Sequence, residues 1–146
     1  MATWQDYLKL MEGLSRTLEQ LTQVELDKNA AASRGDVLGV EECMKREQVL
    51  SLSLRGCDQK RDAMLGLHGV SLSQLEDHSP PELQLETKRV VEELRRQYAL
   101  FQNASQVARD TLEINLRAIE RMQAVQAGDA AEAAEQRRDH QTDFRA

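Results

Sequence analysis

Val91–Val125 reads VEELRRQYALFQNASQVARDTLEINLRAIERMQAV, and its spacing decides the fold. Val91, Leu94, Tyr98, Phe101, Ser105, Ala108, Leu112, Asn115, Ile119 and Met122 recur at steps of three and four for more than four heptads. That is the spacing with which one face of an α-helix meets a partner helix. Neither proline nor glycine interrupts the run. It predicts a helix from about Pro81 to Ala127, about 70 Å long at ~1.5 Å per residue. Asn115 is the polar member of the seam, where such a group fixes register and partner number at some cost in stability. A ligand contact is the functional alternative for that residue.

Working back toward the start, Ser79 followed by Pro80 reads as an N-cap with proline in the first helical turn, where its missing N–H costs nothing. Ser71 to Ser79 is expected as a loop holding at most one turn around Leu72 to Glu76. Gly66 and Gly69 close a second helix that starts after Asp36 and carries Val37, Val40, Met44, Leu50, Leu54, Cys57, Met64 and Leu65. Gly56 is a place where that helix could bend. A first helix runs from Thr3 to about Arg34, with Trp4, Tyr7, Leu8, Met11, Leu14, Leu18, Leu21 and Val24 on one face. It would reach only about 48 Å, so one end of the last helix must protrude.

The expected fold is all-α: an antiparallel bundle of three long helices with an extended C-terminal helix and coiled-coil-like packing. Residues 1–127 form the helical domain. Residues 128–146 follow as a polar C-terminal tail, a frayed helix over the Ala- and Glu-rich Asp129 to Gln136 and then a mobile end, because they carry too few apolar groups to pack. Composition agrees with helices: hydrophobic residues make up 40% of the 146 but aromatics only 3%, and the two prolines, Pro80 and Pro81, stand together.

The formal charge of −6, without a basic run or aromatic residues interleaved with basic ones, argues against nucleic acid. No segment approaches the ~20 apolar residues that span a bilayer, and the start has no signal-peptide pattern, so a cytoplasmic protein without membrane insertion is expected. Cys43 and Cys57 would stand about 21 Å apart on one helix, too far for a disulfide. They read as free thiols.

No enzyme motif occurs: there is no glycine-rich phosphate loop, no CxxC, no HExxH and no GxSxG. Asp77, His78 and Ser79 are neighbours in a turn and cannot assemble a triad from there. His68, His78 and His140 have no ligand spacing, and neither a metal nor another cofactor is expected. The protruding end of the last helix is the feature left over. Leu112, Leu116, Ile119, Met122 and Val125 are the candidate binding strip, since exposed apolar stripes mark interaction surfaces. Phe144 is a candidate contact in the tail.

Several residues also resemble the flagellar export chaperone family FlgN over roughly Leu8 to Val125. They are Leu18, Leu21 and Glu25, then Lys45, Arg46, Gln48, Val49 and Leu50, then Arg61, Met64, Leu65, Leu67 and Gly69. The long last helix adds Leu94, Phe101, Asn103, Gln106, Leu112, Asn115 and Leu116. That family often has two asparagines three apart, and here Gln106 replaces the second; many members carry a Tyr-Gly element after the helix, and here Phe144 stands alone. The resemblance implies a cytoplasmic chaperone of type III flagellar export. Its clients would be the C-terminal helical segments of the hook-associated proteins FlgK and FlgL, kept from aggregating and from assembling early, and the flagellar export apparatus would be a further partner. A FliT-like chaperone of the filament cap, or a coiled-coil adaptor that buries the strip in a homodimer, are the alternatives.

Overall fold

Thr3 opens the first helix through a reciprocal cap. Its hydroxyl accepts from the Asp6 amide at 3.2 Å, and the Asp6 carboxylate accepts from the Thr3 amide at 2.9 Å. The computed structural model describes the backbone of residues 2–145, and the side chains of these except 119, 122, 123 and 138–145. The described chain is all-helical, with no strand. Its elements are α1 (Trp4–Ser33), α2 (Val37–Ala63), α3 (Leu75–His78) and α4 (Gln84–Arg145), with short 3-10 turns at Met64–Gly66, Leu72–Gln74 and Pro81–Leu83.

Gly35, at φ +71°, turns the chain from α1 into α2, a conformation L-residues adopt only at a cost. Asp36 then caps α2 by accepting from the Gly39 amide at 2.9 Å. Consequently α2 runs back along α1, and Arg46 meets Asp27 while Lys28 meets Glu47. Helix α4 runs parallel to α1. Trp4 Nε1 donates to Thr87 Oγ1 at 2.9 Å, Thr111 donates to Asn29 at 2.5 Å, and the Asn115 amide donates to the Ala32 carbonyl, all at nearly the same offset along the chain. Thus α1 packs against both other long helices.

The core divides along its length. Near the start of α1, Tyr7, Leu8, Met11, Leu14 and Leu18 interlock with Val90, Val91 and Leu94, and the connecting segment closes this end by burying Leu67 and Leu75. Toward the α1–α2 turn the buried groups become small or polar: Ala31, Ala32, Cys43, Ala104, Ala108, and the charged pair Glu25 and Lys28. Helix α2 contributes one buried residue, Cys43. Both cysteines are free.

Several expectations change. At Gly56, where the sequence left a bend open, α2 is a continuous helix, since a lone glycine costs only about 1 kcal/mol and flanking turns hold it. Ser79 does not cap the following helix. Its hydroxyl turns back to donate to the Glu76 carbonyl at 2.6 Å, closing α3, and Pro80 occupies the cap position with Pro81 first in the turn. Where the tail was expected, the backbone of α4 stays helical past Gly128 to Arg145. Ala130, Ala131, Ala133 and Ala134 among Glu, Gln and Arg are all strong helix formers. At 62 residues α4 is about 93 Å long, against about 45 Å for α1.

Candidate docking surface

Asn115 marks the place where α4 leaves the rest of the molecule. Its side-chain amide donates to the Ala32 carbonyl, one of the last carbonyls of α1, which also accepts from the Gly35 amide at 3.2 Å where the helix ends. The polar seam residue thus sets the register between α1 and α4. Past this point α1 has ended, and residues 116–137 of α4 are exposed wherever their side chains are described, apart from half-buried Ala133 and Ala134.

The candidate strip starts in a pocket of about 170 Å³ where α4 passes the α1–α2 turn. Leu112 and Leu116 line one side of it, Val37 and Val40 the other, over Ala32. Leu112 is half-buried there, whereas Leu116 is 56% exposed and Val125, further out, 63%. The side chains of Ile119, Met122 and Phe144 lie outside the described residues. At about 100° per residue, Leu116 and Val125 fall on opposite faces of the helix, so the strip does not bring them together.

A different line of apolar residues, not singled out by the seam reading, does share one face. Leu100, Val107, Ile114 and Val125 are all exposed and fall within about 40° of one another around α4. Their spacing of seven, seven and eleven was visible in the sequence. It was hidden because the inner seam of Val91, Leu94 and Ala108 has the same period. Helix α2 also exposes Leu38, Val49 and Leu52, and Leu38, Val49 and Leu50 border a groove of about 940 Å³ against Gln20 and Gln23 of α1.

The turn residues Asp77, His78 and Ser79 do not converge. The His78 ring nitrogen Nδ1 is 2.9 Å from the Gln74 carbonyl, and the Ser79 hydroxyl donates to the Glu76 carbonyl. Among the described residues no cluster of three His, Cys, Asp or Glu side chains could hold a metal ion, and no helix is long and apolar enough to cross a membrane. Comparison with protein families, curated proteins and solved structures finds no match for this chain.

Proposed function

We propose that this protein holds amphipathic helical segments of other polypeptides, and that it does so as a chaperone of type III flagellar export serving FlgK and FlgL. The observation that supports this reading is Leu116, more than half exposed at the mouth of the apolar pocket formed with Leu112, Val37 and Val40. A guest helix can place one apolar side chain in that pocket and continue along α4 in helix-in-groove fashion, needing neither nucleotide nor covalent chemistry. In this reading the three long helices act as an antiparallel bundle with coiled-coil-like seams that presents the free end of α4. The family resemblance supplies the identity of the guest.

The test is binding of labelled C-terminal segments of FlgK and FlgL to the purified chain, followed by anisotropy. Leu116→Asp is expected to weaken binding at least about ten-fold, or 1.4 kcal/mol, because it puts an unpaired carboxylate at the pocket mouth. Unchanged affinity would remove this surface. Absence of binding to either segment by the unaltered chain would remove the assigned client.

A further inference from the structure

The second apolar face of α4 has the spacing of a seam between paired helices. Val107, Thr111, Ile114, Ala118, Arg121 and Val125 follow one another at steps of four, three, four, three and four, a series that reads identically from either end. Any heptad seam reads this way, so the spacing admits a second helix running either way, and the charges choose the direction. With the axis level with residue 116, Val107 meets Val125 and Ile114 meets Ala118, while Thr111, held to Asn29 of its own chain, lies at the edge of the face level with Arg121. Asp110, one residue before Thr111, then stands beside Arg121 of the other copy, so the charges are complementary twice over.

We propose that two copies of this chain pair antiparallel through this face of α4. The exposure of the face agrees: Leu100 43%, Val107 46%, Ile114 65% and Val125 63%. So does the surface area. The chain exposes 10474 Å² for a mass of 16.6 kDa, about 2,900 Å² more than a compact monomer of that mass. Stable homodimers bury about 2,000–5,000 Å² in total. Length agrees as well. The part of α4 beyond Asn115 is as long as the 30-residue α1, so each projecting end can lie along the other copy's α1–α4 layer over its whole extent. The pairing leaves Leu116 free, since Ile114 and Leu116 point about 160° apart around the helix. Client holding and self-pairing therefore use opposite sides.

The experiment is sedimentation equilibrium of the full chain at micromolar concentration. The expected mass is twice 16.6 kDa. Ile114→Asp, at a position exposed enough for the fold to tolerate it, should return the mass to that of one chain. Asp110→Arg should weaken pairing about ten-fold by setting two arginines against each other, and Asp110→Arg with Arg121→Asp should restore it. A single-chain mass for the unaltered protein overturns the proposal. So does failure of the double reversal to rescue, since parallel copies would place Asp110 beside Asp110. Client binding is read separately at Leu116, so either reading can fall while the other stands.

Discussion

Lys28 of α1 lies 2.6 Å from Glu47 of α2 and 3.0 Å from Glu25, one turn back on its own helix. One ammonium serves two carboxylates in a part of the core where Glu25 is 1% exposed. Burial pushes the Glu25 carboxyl above its ordinary value, and Lys28 pulls it only part of the way back. For Lys28, burial works against the charge, but hydrogen bonds to Glu47 and Glu25 outweigh it and raise the ammonium above the usual lysine value. Removing one partner of a buried pair costs more than the pair contributes.

Lys28→Met should therefore destabilise the fold by about 3 kcal/mol, measured by urea unfolding at neutral pH, because two carboxylates are left facing each other. A loss below 1 kcal/mol would show that the lysine is dispensable.

Glu25→Gln should have a pH-dependent effect. A raised folded-state pKa gives stability that is present below the ordinary glutamate value of 4.5 and is lost as pH rises through the folded value. The Gln variant should unfold at a urea midpoint less sensitive to pH over this window, gaining on the parent toward neutrality. Parallel midpoint curves would contradict the assignment. The contribution of Lys28 has the same sign at the other end of the scale: it is present below 10.5 and is lost as pH rises through its elevated value.

Leu94→Ala, at a position 1% exposed in the apolar half of the core, should cost about 2–5 kcal/mol. Leu116→Ala should change stability by less than about 0.5 kcal/mol. Similar costs at the two sites would mean that Leu116 is covered within the molecule.

Asn115→Ala should cost about 1 kcal/mol and speed hydrogen exchange at the Gly35 and Asp36 amides, whose turn hangs on the end of α1 that Asn115 holds. Unchanged exchange there would separate the contact from the turn.

Gly39→Ala should cost about 1 kcal/mol by displacing a cap. A Cβ at Gly39 would come within 2.4 Å of Asp36 Oδ2, the carboxylate that caps α2. Asp36→Ala removes the same cap, so the two changes together should cost little more than either alone. Full additivity would assign glycine another role.

Much of this architecture was legible before any coordinates. The face of Tyr7, Met11, Leu14 and Leu18, the Gly35–Asp36 break, and the long run ending in α4 all follow from period and capping chemistry. Ser79 misled because a hydroxyl can cap the helix ahead or close the one behind, and only the position of the Glu76 carbonyl decides between them. Past Gly128 the alanines favour helix, so a frayed helix is legible there, but how far it runs is not, because a polar segment with no face to bury leaves no period to read. The seam past Leu94 carries Ser105 and Asn115, and the sequence marks Asn115 as its polar member. In the folded chain its far half packs only the small Ala104 and Ala108 and is held to α1 by the Thr111–Asn29 and Asn115–Ala32 hydrogen bonds.

The spacing of Val91–Val125 by itself determined that the last helix is long, that it has an apolar side, and that it outreaches the first. Which sides of that helix stay open was decided only by the tertiary structure. Period fixes the angle of a side chain about its own axis, but exposure depends on which neighbours arrive at that angle. Leu112 is half covered because the α1–α2 turn lies beside it. Ile114, two residues on and on the other side, has no neighbour there and stays open.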